Sequence, residues 1–129
     1  MFTAFRRKPV WRSFDVDAAQ HGSLQRHTAG ARTVPIDRIV GSVGRCNGDV
    51  PGTGLWHVSS TELRYRQIRQ LLREGHALPA VELYQLDDAY YIVDGNHRVA
   101  AARSLGHVAV DAIVTEFRLI GKQDVAAVA

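Results

Sequence analysis

Asp94, Gly95, Asn96, His97 and Arg98 form one uninterrupted run, and their residue types are those that hold anions. A glycine lets backbone approach a ligand with no Cβ between them. His97 and Arg98 add side-chain donors, and an arginine can grip two phosphate oxygens at once. The residues before the run, Ala89–Val93, are aromatic and β-branched like a strand, whereas Asn96–Leu105 is alanine-rich like a helix. The run therefore falls where a strand turns into a helix. The first N–H groups of that helix have no partner within it, and the positive end of the helix dipole adds to them, so phosphate is the ligand the arrangement suits. Two basic residues in a first helical turn are a local mismatch that a bound anion relieves. The same residues admit a purely structural reading, with Asp94 capping the helix, Asn96 as an ordinary helix-start residue, and His97 and Arg98 making surface hydrogen bonds.

Other chemistry-bearing residues are scattered. Gly41 to Gly54 contains five glycines and a proline and reads as a loop, in which Ser42 and Arg45 are candidate donors and Cys46 is the only cysteine of the chain. A lone cysteine leaves no intrachain disulfide and no multi-cysteine zinc site among these residues, and it suits a reducing compartment. His57 and His76 lack metal-ligand spacing with any other histidine or cysteine, so no metal centre is expected. Glu62 is a weak candidate for a catalytic base, because its spacing from Ser59 is also that of a capping box.

The elements that must position these residues follow from periodicity. Val34–Val40 reads as a short strand or strand-plus-turn, with Pro35 near its start. From Ser59 a helix is predicted, with Tyr65, Ile68, Leu71 and Leu72 on its core face and Glu62, Arg66, Arg69 and Arg73 on another, stopped by Gly75. The arginine stripe is either a solvated face or a docking surface for an anion. Val81–Leu86 and Ala89–Val93 are spaced as a hairpin about Asp87-Asp88. Asn96–Leu105 is a helix closed by Gly106, and Val108–Thr115 alternates as a strand. The expected fold is thus a small single-domain α/β (α+β) one, a mixed sheet with a hairpin and two main helices. The expected organisation is a basic, partly flexible leader over 1–33, a domain over 34–117 and a tail over 118–129.

A chain of 129 residues with 46% apolar and 22% charged residues is an ordinary globular composition, large enough to bury one core. The charge is uneven. Residues 1–33 hold six basic side chains (Arg6, Arg7, Lys8, Arg12, Arg26, Arg32) against Asp15 and Asp17, and the remainder is close to neutral. A basic leader of this kind either touches DNA or an acidic protein partner, or is simply solvated. No apolar run has the length of a membrane span and the basic amino end lacks a secretory h-region, so a cytoplasmic protein with no membrane association is expected.

The stretches VPIDRIV (Val34–Val40), LPAVELYQLDDAYYIVDGNHRVAAARSLGH (Leu78–His107) and VDAIVTEF (Val110–Phe117) together resemble the ParB N-terminal domain and sulfiredoxin superfamily, and in particular stand-alone ParB-like bacterial proteins. The resemblance implies a ParB/sulfiredoxin-like domain that binds a nucleotide (ATP, ADP or CTP, with Mg²⁺), its phosphates held by Gly95, Asn96, His97 and Arg98. Arg45 matches the arginine after the first strand of such domains, which implies a second phosphate contact; a solvated loop arginine is the other reading. Asn96 stands where sulfiredoxins carry their nucleophilic cysteine, and an amide cannot perform that attack, so sulfiredoxin reductase chemistry is not expected. The turn also departs from the G-E-R-R of partition ParB proteins. It is compatible in Asp94, Gly95 and Arg98 with the D-G-H-T-R turn of free serine kinases. A nucleotide-dependent kinase or NTPase, with Asp94 as candidate catalytic residue, a DNA-associated regulator, and a non-catalytic interaction protein that kept the fold and lost the ligand are the functional classes this leaves.

Overall fold

The computed structural model describes residues 11–44 and 63–120. In chain order the elements are β1 (Arg12–Ser13), α1 (Phe14–Ala19), β2 (Leu24–Pro35), a 3-10 turn (Ile36–Arg38), β3 (Ile39–Ser42), α2 (Leu63–Arg73), β4 (Val81–Leu86), β5 (Ala89–Asp94), α3 (Asn96–Ser104) and β6 (Ala109–Leu119). The six strands form one mixed sheet in the order β1-β3-β5-β4-β6-β2. β4–β5 and β2–β6 are antiparallel, whereas β1–β3, β3–β5 and β4–β6 are parallel. The expected α/β fold with its mixed sheet and hairpin is the one observed.

Alternation along the strands sends side chains to two faces. Val81 and Leu83, Tyr90 and Ile92, and Ala112 and Val114 form one cluster, which Val99 of α3 joins. Residues of the other parity, Leu86, Tyr91, Tyr84 and Phe117, gather with Phe14 of α1 on the opposite face. Small residues bring α3 close to the sheet: Ala101 and Ala102 are buried beside Val99. Both longer helices close with the same pair of bonds, His76 N–H to Leu71 and Gly75 N–H to Leu72 in α2, and His107 N–H to Ala102 and Gly106 N–H to Arg103 in α3. The stops predicted at Gly75 and Gly106 are therefore observed.

The amino-terminal part differs from the sequence reading. β1, α1 and the first nine residues of β2 precede Thr33, and β2 pairs with β6 from Leu24 to Pro35. Pro35 ends a strand instead of starting one, on an edge where its missing N–H leaves no ladder bond unmade. The strand was hidden by a bulge. Pairing shifts between Thr28 and Gly30, where Gly30 has φ of 82°. One extra residue reverses the alternation, so Leu24 packs with the α1-side cluster and Val34 with the α3-side cluster although both positions are even-numbered. At the other end β6 continues to Leu119, past the boundary expected at residue 117.

Helix α2 also departs from expectation. It packs against α3, and none of its residues is fully buried. Tyr65, Ile68 and Leu72 are half-buried as predicted, but Leu71 is 39% exposed and Arg69 takes an inward place, donating from Nε to Ser104 Oγ at 3.0 Å. Among the described residues no helix is long and apolar enough to cross a membrane.

Candidate phosphate-binding turn

β5 runs out of the sheet at Asp94 and α3 starts at Asn96, leaving Gly95 alone to make the corner. Gly95 has φ of 118° and ψ of 26°, a left-handed conformation that a side chain disfavours. A Cβ placed there would also lie 2.6 Å from Cγ1 of the buried Val81. Conformation and space thus both require glycine, and the corner is wedged against the first residue of β4. Gly95 has no side chain to cap the helix, and α3 opens with a bond from Val99 N–H to Gly95 O at 2.9 Å. The N–H groups ahead of it have no carbonyl one turn back within α3.

Asp94 does not cap α3. Its carboxylate accepts from Arg98 Nη2 at 3.1 Å, an i,i+4 ion pair in which Asp94 is 71% and Arg98 18% exposed. Arg98 is further committed: Nη1 donates to Pro79 O at 2.9 Å and to Ala80 O at 3.0 Å. Its guanidinium therefore ties the first turn of α3 to the chain entering β4, and the two-oxygen grip on a phosphate read from its residue type is directed instead at two backbone carbonyls. Asn96 contributes a different feature. Its Oδ1 is buried with no hydrogen-bond partner among the described residues, a costly state for an amide oxygen. His97 is half-buried in the same turn.

A cleft of about 370 Å³ opens beside the turn, lined by Asp94, Arg98, Arg64, Ile68, Pro79 and Glu82. Glu82 stands opposite Asp94 in the β4–β5 register, and Arg64 comes from the first turn of α2. Sequence reasoning missed both, because only the sheet register and the packing of α2 bring them to the turn. A larger hollow lies along α2, lined by Arg66, Arg69 and Ser104 among others, but none of the turn residues borders it. Arg45, Glu62, Cys46, His57 and the Ser59 cap lie outside the described residues. Among the described residues no group of three histidine, cysteine, aspartate or glutamate side chains could hold a metal ion.

Of the leader's basic side chains, three lie among the described residues, and each contacts residues beyond 33. Arg12 lies over the Tyr91 ring while its Nε pairs with Asp17 Oδ2 at 2.7 Å, Arg26 stacks over Tyr84 and Phe117, and Arg32 Nη1 donates to Gln85 Oε1 at 2.8 Å.

No protein-family profile matches the chain. No curated protein matches it either. Among solved structures it is similar to sulfiredoxin from Arabidopsis thaliana, at 16% identity and a TM-score of 0.45 over 65% of this chain and 82% of that one. It is also similar to the C-terminally truncated chromosome-partitioning protein ParB from Caulobacter crescentus complexed with CTP-gamma-S, at 22% identity and a TM-score of 0.47, over 78% of this chain and 50% of the other. A Pnob8-like ParB-N domain aligns at 15% identity and a TM-score of 0.43, over 81% of this chain and 35% of that one. The chain thus spans about half or less of the two ParB chains. These are likenesses of fold alone.

Proposed function

We propose that this domain binds the phosphate groups of a nucleotide at the amino end of α3. The observation that carries the reading is the uncapped first turn after Gly95, where backbone donors follow a residue with no side chain to block them. The unsatisfied Asn96 Oδ1 supports it. Its oxygen and nitrogen exchange places by a half-turn of the amide, so the position offers a ligand either an acceptor or a donor. Arg98 acts at one remove, as the brace that fixes the turn. Mg²⁺ would arrive with the nucleotide, held mainly by phosphate oxygens and water, with Asp94 as a neighbouring carboxylate and no protein cage required. ATP, ADP and CTP are the candidate ligands, and phosphotransfer or hydrolysis are the reactions to be sought once binding is measured.

The test is calorimetric titration of each nucleotide with Mg²⁺ into the wild type and His97→Glu. A carboxylate in the first turn suits the helix dipole, and circular dichroism of the variant checks that it folds. It should repel phosphate, and affinity is expected to fall by about tenfold or more. Absence of binding to the wild type, or equal affinity in the variant, would overturn the proposal. Arg98→Ala is a poor substitute here, since it removes the brace as well as a charge. Contact of the leader with DNA, the alternative function, has less support from the described residues, where Arg12, Arg26 and Arg32 are engaged by Tyr91, Tyr84 and Gln85.

A further inference from the structure

At the far end of β5 from the turn, His21 joins two parts of the chain that are distant in sequence. Its Nδ1 lies 2.7 Å from the carbonyl oxygen of Asp17, near the end of α1, and its Nε2 lies 3.0 Å from Oδ2 of Asp87, in the β4–β5 turn. Both partners are acceptors. A neutral imidazole has one N–H and can satisfy only one of them, whereas the imidazolium donates to both. Asp87 is itself held at φ of 55°, the only described non-glycine residue at positive φ. The turn thus keeps an unfavourable backbone conformation at the position that meets His21.

The surroundings favour the charged ring. His21 borders a cleft of about 460 Å³ whose other charged walls are Arg12, Asp37, Arg38, Asp87 and Asp88. Asp17 adds a further carboxylate, bonded to Arg12 Nε at 2.7 Å and to the Tyr91 hydroxyl at 2.5 Å. Arg38 Nη1 is 3.8 Å from Asp88 Oδ1. Asp17, Asp37, Asp87 and Asp88 therefore outnumber the two guanidinium groups, and a third cation is electrostatically favoured there. Tyr91 remains a neutral donor, because burial and then its bond to Asp17 raise its pKa well above the usual tyrosine value, outweighing the lowering effect of Arg12.

We propose that His21 is a proton-operated clasp, fastening the β1–α1 segment to the β4–β5 turn when protonated and releasing that end when neutral. The segment it fastens covers one side of the sheet: Phe14 is packed edge-on against Tyr84 and Tyr91, with Phe117 beside it. Releasing the clasp loosens the cover over those rings. In the closed state the pKa of His21 is raised above 6.5, first by the bond to the Asp17 carbonyl and then by the Asp87 carboxylate. The sign follows from that direction. The stabilisation is fully present below the unfolded-state value and is lost as pH rises through the raised folded-state value.

The test combines an NMR titration of the His21 ring with amide exchange across Phe14–Ala19, corrected for intrinsic rates, in the wild type, Asp87→Gly and Asp87→Asn. Glycine accepts positive φ, so the first variant removes the carboxylate without straining the turn, and asparagine retains the shape without the charge. A wild-type midpoint above 6.5 that drops in both variants is expected. Protection of α1 should decrease between about pH 5.5 and pH 8.5 by about tenfold per unit of upward midpoint shift. A midpoint unmoved by either substitution, or α1 protection independent of pH in the wild type, would refute the clasp.

Discussion

At Gly95 the geometry of the turn demands the residue type, and at Arg98 it decides the partners. Gly95 is required twice over, by its φ of 118° and by the Val81 methyl that a Cβ would strike. Gly95→Ala should therefore lower stability by about 2 kcal/mol or more, read as a drop in the urea midpoint at unchanged slope. A neutral effect would mean that the corner relaxes freely and that its conformation is not imposed by β4. Arg98 was expected to face a ligand, and it does stand at the turn. Its Nη1 instead reaches residues 18 and 19 positions earlier in the chain, a direction no local pattern encodes.

Elements with an uninterrupted local signal were legible, and those built by distant contacts were not. The β4–β5 hairpin and α3 follow strand and helix periods over six and nine residues, and they were found nearly to the residue. β1 has two residues and α1 has six, too short for either period to be distinguished. What makes α1 an element is its docking. Ser13 accepts from Val16 N–H at the amino end, and Phe14 inserts among three aromatic rings. Phe14→Ala should cost about 3 kcal/mol of docking energy. Hydrogen exchange checks this at element level: amides of Phe14–Ala19 should exchange much faster while those of β4, β5 and β6 keep most of their protection. Uniform loss across all of them would show α1 to be part of the global folding unit.

For the whole molecule the decisive contact is β2 against β6, which runs along eleven residues of β6 and closes one edge of the sheet. A chain lacking residues 1–33 keeps the turn and α3 but loses nearly all of β2, together with Phe14. It should show no cooperative thermal transition by circular dichroism, because β6 would be left with an unpaired edge and both clusters would lose a wall. A cooperative transition close to that of the full chain would support the domain boundary expected at residue 33. The same contact fixes part of the basic leader: residues 24–33 are woven into the sheet, which presents Arg26 and Arg32 where the strand places them.

The sequence by itself determined the fold class, the hairpin, the two longer helices with their stops, and the glycine corner between β5 and α3. Those features are written in neighbours a few residues apart, where alternation, alanine content and glycine act locally. Only the tertiary structure decided where the sheet begins, because a bulge near Gly30 reverses the alternation of β2 and only β6 across the ladder reveals the register. Tertiary structure alone also set the partners of Arg98 and His21 and brought Arg64 and Glu82 beside the turn. Hydrogen bonds and ion pairs between residues tens of positions apart depend on which backbone groups packing brings within about 3 Å, and residue type leaves that choice open.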